Sequence, residues 1–314
     1  MNNLSRHEKL WFEDGNIILI PEGSTHGFKV HRGILGYHSE VFRDMFLSPL
    51  PANEADIEGC KGVKMYDPPQ DVECLLSVLY NGNQGSLYDA SVSVKFATVV
   101  GLIKMGHKYQ IEHLVKAAIS RLEMCYPRSL HAFEALGNFT GIDCPISDLT
   151  SQDSVVIVHL VRTLHLEVSA SAILPAALYH CSQLPNTILA LGVRMAGNPF
   201  TYCLPPEDLI KCLDARDKFL RLGILSLKTD FSCPSRSKGA NCFSPNELTA
   251  DDSRRNVAFQ YDVLAPLQPR LVDTRVCRAC VLQICKLHDE ERKAIWNQLG
   301  KIFGVNSWNP SSCL

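Results

Sequence analysis

The most constraining feature of the sequence is the segment FKVHRGILGYHSEVFRDMF at positions 28–46. It starts with a short apolar run that ends at His31. Paired apolar residues then recur at helical spacing, with polar residues between them: Ile34 and Leu35, Val41 and Phe42, and Met45 and Phe46. This periodicity predicts a buried strand followed by two short amphipathic helices.

The residues around this segment predict a small sheet and further helices. The run at 16–21 is apolar and β-branched, and the turn residues after it predict a hairpin with a second strand at 26–30. Later elements are a weak strand at 62–66 and helices at 72–80, 92–106 and 109–122. The stretch at 92–106 is rich in β-branched residues, but its apolar positions follow helical spacing, so we predict a helix there.

The second half of the chain is predicted to be helical apart from one long loop. Residues 229–256 are rich in Cys, Ser, Pro and paired charges and have no apolar period, which predicts a loop of unusual length for a compact domain. Apolar periodicity elsewhere predicts helices at 130–136, 152–166, 172–184, 207–225, 272–287 and 289–303.

Composition restricts the class of protein. The chain has 314 residues, of which 46% are apolar and 20% charged, as expected for a globular protein of one large or two ordinary domains. The net charge of −2 gives no field that would attract nucleic acid or an anionic membrane. We expect no signal peptide and no membrane span, and therefore an intracellular protein, cytoplasmic or nuclear. The 13 cysteines are then expected to be mostly buried thiols in a reducing compartment.

The segment at 28–46 resembles the signature of the BTB/POZ domain, a protein-interaction fold. The matching positions are Phe28, His31, Arg32, Leu35, Ser39, Phe42 and Phe46. Asp14 before the first strand and the stretch from Tyr109 to Ala117 also match the family. The helical extension, with its late cysteines and an ending that contains Trp296, Leu299 and Phe303, resembles BTB proteins that are expanded in fungi.

The resemblance implies an α+β fold: a BTB/POZ domain with a short mixed sheet flanked by helices, followed by an all-helical C-terminal region. We predict the regions in chain order as the BTB/POZ domain at 10–124, a helical region at 125–228, a Cys/Ser/Pro-rich loop at 229–256 and a C-terminal helical segment at 257–314.

The resemblance also implies residues for an interface. Asp14 and Arg32 match positions that form a charged pair in the family's dimer groove, although such a pair can equally be an internal structural ion pair. BTB domains commonly self-associate through the first helix and a neighbouring strand, which requires exposed apolar side chains. The candidates, which would otherwise fill the core, are Trp11, Phe12, Ile34, Leu35 and Phe42. We favour the core for Phe42.

Some BTB proteins also dock a cullin scaffold of ubiquitin ligases through an apolar-x-Glu element after the helical pair. Ala52 and Glu54 lie near that position, but Ala is a poor apolar anchor. The apolar residues at 45–47 are further candidates for such a contact. A cullin partner therefore stays an alternative prediction.

The late cysteines are the candidate metal site. Cys233, Cys242, Cys277 and Cys280 would give zinc four thiolate ligands and would pin the long loop, with Cys285 or His288 as substitutes. The spacing is atypical, and the alternative is a packed helix with buried thiols. A thioredoxin-like use of the Cys277–Cys280 pair is disfavoured, because no strand precedes it.

No motif of an enzyme is found in the sequence: it has no Gly-rich phosphate loop, no nucleophile elbow and no zinc-protease helix. We therefore predict a protein–protein interaction module that forms homo- or hetero-oligomers and presents a second surface on its helical region. The alternatives are a cullin adaptor and, less favoured, a metal- or cysteine-dependent enzyme in the C-terminal half. Nucleic acid and membrane are not expected as partners.

Overall fold

The computed structural model describes residues 4–48, 56–80, 87, 89, 91–137, 139, 144–196, 198, 200–226, 262–266, 277–306 and 308–310. The chain divides into two compact units. The N-terminal unit comprises Met1–Cys125 and Asp143–Leu149, and the helical unit comprises Tyr126–Ile142 and Thr150–Leu314.

The N-terminal unit contains a five-stranded mixed sheet with the order β1-β3-β2-β5-β4. The strands are β1 (Ser5–Trp11), β2 (Ile17–Ile20), β3 (His26–Val30), β4 (Asp56–Ile57) and β5 (Cys60–Lys64). Strands β2 and β3 form the predicted antiparallel hairpin, with Ile18 opposite Lys29. Strand β5 runs parallel to β2, so the weak strand predicted at 62–66 exists and begins two residues earlier.

Five helices within the described ranges accompany this sheet. They are α1 (Arg32–His38), α2 (Glu40–Leu47), α3 (Pro69–Tyr80), α4 (Phe96–Lys108) and α5 (Glu112–Cys125). The predicted helical pair is thus confirmed as α1 and α2. The β-branched stretch is helical as predicted, because its periodic apolar residues are buried against neighbouring helices α3 and α5.

A short parallel strand pair completes the N-terminal unit. β6 (Val94–Lys95) pairs with β7 (Ile146–Ser147), which the sequence pattern did not predict. The carboxylate of Asp148 then accepts a hydrogen bond of 3.0 Å from the amide of Phe96 at the start of α4. This bond satisfies one of the amide groups that every helix leaves without an internal partner.

The helical unit is built from six described helices. They are α6 (Leu130–Ala135), α7 (Asp153–Thr163), α8 (Leu174–Gln183), α9 (Asn186–Leu191), α10 (Pro206–Ser226) and α11 (Arg278–Phe303). The two helices predicted at the C-terminus are in fact one, because the helix continues through the charged residues around Asp289. The region is also not entirely helical, since β8 (Val193–Arg194) pairs with β9 (Thr201–Tyr202).

Aromatic residues form the core of the helical unit. Trp296 of α11 is buried, and its indole N–H donates to the carbonyl of Arg128 over 2.8 Å. The ring of Phe133 lies 4.9 Å from Trp296 and 5.0 Å from His180. Helices α8, α10 and α11 pack together around this cluster. Within the described part of the chain, every helix is too short or too polar to cross a lipid bilayer.

Candidate protein-interaction surface

The signature residues of the helical pair hold α1 and α2 in place. Ser39 lies between the two helices, where its hydroxyl accepts from the amide of Phe42 over 3.1 Å and donates to the carbonyl of Tyr109 over 2.6 Å. The rings of Phe42 and Tyr109 are parallel, with centroids 4.3 Å apart. Phe42 is fully buried, as predicted for a core residue. These residues therefore support the surface and are not available to a partner.

A polar cluster around the buried Asp67 carboxylate holds Tyr109, the residue that contacts Ser39 and Phe42 of the helical pair. The hydroxyl of Tyr109 donates to the carboxylate of Asp67 over 2.6 Å, and the ammonium of Lys108 lies 2.7 Å from the other oxygen. Burial and the neighbouring Asp67 carboxylate raise the pKa of Tyr109, so its hydroxyl keeps its proton and remains a donor. The buried carboxylate thus has both a charged and a neutral partner, which lowers the cost of its burial.

Strand β1 lies at one edge of the sheet. It pairs in parallel with β3, and the register shifts between Arg6 and Trp11. The exposed positions of the strand carry charged residues, and the guanidinium of Arg6 stands 5.4 Å over the ring of Trp11. Charged side chains and an irregular register are features that protect an edge strand from indiscriminate pairing. A partner that binds at this edge therefore has to present side chains that complement those of β1.

The end of β1 is anchored to the start of α1 by an aromatic cluster. The ring of Phe12 stacks on that of Tyr80 at 4.9 Å and lies 5.3 Å from His31. The hydroxyl of Tyr80 accepts from the amide of His31 over 2.8 Å and donates to its carbonyl over 3.3 Å. Burial raises the pKa of Tyr80 to about 12, which keeps this hydroxyl protonated. Phe12 therefore uses part of its surface internally and exposes the remainder.

The charged residues of this edge are arranged differently from the implied pair. Asp14 is 85% exposed, and its carboxylate lies 3.2 Å from Nε2 of His31. The guanidinium of Arg32 stands 5.7 Å over the ring of Phe46, and none of the described carboxylates is within ion-pair distance of it. Within one chain, Asp14 and Arg32 are therefore not paired. A charged pair between two chains stays a prediction.

Helix α1 presents one apolar side to solvent. Ile34 is 36% exposed and Tyr37, one turn later, is 86% exposed. Leu35 is 0% exposed, so the prediction that it offers apolar surface to a partner is corrected: its side chain belongs to the core of its own unit. Ile34 and Leu35 differ in exposure because the side chains of adjacent helical residues point about 100° apart around the helix axis.

We define the β1–α1 surface as Trp11, Phe12, Asp14, Ile34 and Tyr37. It combines half-buried and exposed aromatic side chains with one exposed carboxylate. Aromatic side chains of this kind are enriched in protein–protein contacts. Tyr37 was not predicted from the sequence, because a helix of two turns is too short for its periodicity to show which side faces solvent.

The segment considered for cullin docking is only partly described. Leu47 at the end of α2 is 79% exposed, whereas Met45 and Phe46 are partly buried. Ala52 and Glu54 lie outside the described residues. The docking element thus stays a prediction, and Leu47 is its one described exposed apolar residue.

Only two of the four predicted zinc ligands lie among the described residues. Cys233 and Cys242 lie outside the described residues. Cys277 immediately precedes α11 and is partly exposed, and Cys280 is buried in the first turn of that helix. Within the described ranges, no three His, Cys, Asp or Glu side chains converge as metal ligands would. Cys285 and His288, the substitute ligands, lie on the same helix and are partly buried. The zinc site stays a prediction.

Comparison with known proteins identifies the N-terminal unit. Residues 16–124 match the sequence profile of a family described as BTB/POZ domain. A search of curated proteins found no match to the chain. The matched range covers the hairpin, the helical pair and helices α3 to α5, the elements that the observed fold places around one small mixed sheet. Residues 16–124 are therefore a BTB/POZ domain, a fold that generally binds other proteins, and it is followed by a helical C-terminal region.

Proposed function

We propose that the chain is a binding protein that self-associates through the β1–α1 surface and performs no reaction of its own. The exposure of Tyr37 beside Ile34, on a helix whose other side is locked into the core, is the observation that carries the proposal. An exposed tyrosine with an apolar neighbour contributes a large contact area at a small cost in side-chain entropy.

A two-fold symmetric dimer is the arrangement that suits this surface. In such an interface each residue contributes twice, once from each chain. The surface carries both apolar rings and the Asp14 carboxylate, so it can match itself if Asp14 meets a cation of the other chain. Arg32 starts the same helix and has no ion-pair partner among the described residues, which makes it the cation we propose for that contact.

The test is the molar mass in solution, measured by light scattering across micromolar concentrations. We expect the wild type to be a dimer or larger. Tyr37→Asp places a charge at the contact twice and is expected to weaken self-association by roughly tenfold to a hundredfold. A wild type that stays monomeric throughout this range would refute the proposal.

Tyr66→Asp is the matched control. Tyr66 is 79% exposed and belongs to the same unit, but it follows β5, which two strands separate from β1 in the sheet. We expect this variant to associate as the wild type does. Equal weakening by both substitutions would indicate non-specific adhesion of exposed tyrosines.

We propose that the helical unit presents the second binding surface. Support comes from α10, where Ile210 and Leu213 are both exposed and lie one turn apart on the side opposite buried Cys212 and Phe219. If a partner binds there, Ile210→Asp will abolish its capture from native cell extract without changing the mass of the self-associated protein. Retention of every captured protein by this variant would argue against the second surface.

A cullin partner is the second candidate function, and the exposure of Leu47 at the end of α2 favours it. We expect Leu47→Asp to abolish capture of a purified cullin, while Tyr66→Asp leaves it intact. Absence of cullin capture by the wild-type protein would eliminate this candidate and leave self-association untouched.

A further inference from the structure

Two cysteines of the N-terminal unit are in sulfur–sulfur contact. Cys125 is the last residue of α5 and is fully buried, whereas Cys144 precedes β7 and is partly exposed. Their Sγ atoms are 3.6 Å apart. We propose that Cys125 and Cys144 form a redox-modification site, a dithiol that a small-molecule disulfide such as oxidised glutathione converts into an intramolecular disulfide.

The geometry requires little movement. A disulfide has a sulfur–sulfur bond of about 2.05 Å, so the two atoms need to approach by roughly 1.5 Å. Cys144 directly precedes Pro145, whose carbonyl accepts a hydrogen bond of 3.1 Å from the amide of Val94, so the approach has to come mainly from rotation of the two side chains. Its thiol donates to the carbonyl of Ile146 over 3.1 Å, a bond that is given up when this thiol loses its proton.

The difference in exposure assigns the order of the steps. Cys144 is accessible, so its thiolate attacks one sulfur of oxidised glutathione, forms a mixed disulfide and releases one glutathione thiolate. The sulfur of Cys125 then loses its proton and attacks Sγ of Cys144. This step forms the internal disulfide and releases the second glutathione. The balance is two protein thiols and one glutathione disulfide converted into one protein disulfide and two glutathione thiols.

A buried cation lies near the resolving thiol. Burial and the neighbouring Cys144 raise the pKa of Cys125, and the guanidinium of Arg121, one helical turn earlier, opposes a small part of this rise. The backbone holds that guanidinium in place, because it donates to the carbonyls of Leu87 over 2.8 Å and Val92 over 3.0 Å. A fixed positive charge stabilises the thiolate that must form before attack.

A second pair of cysteines shows why this one is distinctive. In the helical unit, burial and the neighbouring Cys212 raise the pKa of Cys181, but both thiols are fully buried. A small disulfide needs access to at least one sulfur, so this second pair is expected to stay reduced when Cys144 reacts. The proposed site, by contrast, combines an accessible thiol with a resolving thiol in contact.

The disulfide would close the chain between Cys125 and Cys144 into a loop. The chain leaves the N-terminal unit after Cys125 and returns to it at 143–149. A disulfide would join these two points and hold β7 against β6. It would also hold Asp148 at the start of α4. Oxidation is therefore expected to stabilise the N-terminal unit.

The experiment uses the full chain equilibrated in buffers of increasing ratio of oxidised to reduced glutathione. Free thiols are then blocked, and the unreduced protein is digested and analysed by mass spectrometry. We expect a peptide that links Cys125 to Cys144 and a rise in melting temperature that reductant reverses. Both residues remaining free thiols in the most oxidising buffer, or Cys144 linked to another cysteine, would overturn the proposal.

Two variants test the assigned order. With Cys125→Ala, we expect Cys144 to accumulate as the glutathione mixed disulfide, and with Cys144→Ser we expect no adduct on Cys125. Circular dichroism verifies that each variant folds, and Cys144→Ser, at a partly exposed position, serves if Cys125→Ala does not fold. Cys203→Ser removes an exposed cysteine elsewhere and should leave the bridge intact. A wild type that stops at the mixed disulfide would refute the resolving role of Cys125.

Discussion

Two buried polar sites, one in each unit, treat charge in different ways. The N-terminal unit buries the Asp67 carboxylate and gives it a lysine and a tyrosine as partners. The helical unit buries the His180 imidazole among the rings of Tyr126, Phe133 and Phe139. The first site retains a charge by pairing it, and the second keeps its imidazole neutral. The helical unit also buries paired charges, such as Asp208 with Arg162, so the contrast is one of sites. Loss of one partner and a fall in pH should therefore affect the two sites unequally.

The largest effect is expected from the aromatic core of the helical unit. Trp296→Ala removes a buried indole and its hydrogen bond to the Arg128 carbonyl, and should lower the free energy of unfolding of this unit by about 3–5 kcal/mol. Urea denaturation followed by circular dichroism measures the change. Leu282→Ala, at an exposed position on the same helix, is the control and should cost far less. A similar loss in both variants would contradict the assignment of Trp296 to the core.

The second prediction concerns pH. Burial lowers the pKa of His180 from 6.5 to about 4, so the folded state favours the neutral ring. The contribution of the neutral His180 ring to the free energy of unfolding is complete above pH 6.5. It is lost as the pH falls toward 4, by about 3 kcal/mol in total. Unfolding measured across this range should show the loss in the wild type and a smaller one in His180→Phe.

The comparison between units is sharpened by the histidines of the N-terminal unit. Burial also lowers the pKa values of His38 and His113, whose rings lie 5.5 Å apart, but both are mostly solvated. They should destabilise their unit on acidification in the same direction and to a smaller extent. If acidification from pH 6.5 to 4 lowers the free energy of unfolding of the N-terminal unit more than that of the helical unit, His180 is not the dominant titrating group.

A smaller effect is expected from the polar cluster beneath the helical pair. Tyr109→Phe keeps the ring stacked on Phe42 but removes the hydroxyl that donates to Asp67. Lys108 still neutralises that carboxylate, so we expect a loss of about 1–2 kcal/mol in the free energy of unfolding. Tyr66→Phe, at an exposed site, should change nothing measurable. An unaffected Tyr109→Phe protein would show that Lys108 alone satisfies the carboxylate.

The smallest effect on stability should come from the β1–α1 surface. Tyr37→Asp replaces a ring that is almost fully exposed, so the free energy of unfolding of the monomer should change by less than about 0.5 kcal/mol. The measurement is denaturation at a concentration below the association range. A loss as large as that of Tyr109→Phe would mean that Tyr37 packs within its own chain.

Sequence reasoning succeeded where a periodic pattern coincided with local burial. The hairpin, the helical pair and the helix at 96–108 follow from the spacing of their apolar residues, and the burial of Phe42 follows from its place in that pattern. Elements without apolar periodicity were not predicted. Strand β1 has mostly exposed charged residues and no clear alternation, so nothing local marked it as a strand.

The candidate surface was predicted only in part for the same reason. Trp11, Phe12 and Ile34 were expected at an interface and retain exposed surface, but Leu35 is buried and Tyr37 was overlooked. The choice between Leu35 and Tyr37 depends on which side of a two-turn helix meets the core. A helix of this length gives too few positions for its periodicity to settle that side.

The sequence by itself determined the class of the fold and the residues of the BTB/POZ signature, because apolar periodicity and local hydrogen-bonding residues act over a few positions. Only the tertiary structure decided that Asp14 pairs with His31, that Trp296 reaches the carbonyl of Arg128, and that Cys125 touches Cys144. These contacts join residues brought together by the packing of whole elements, and packing distances are not encoded in any short stretch of chain.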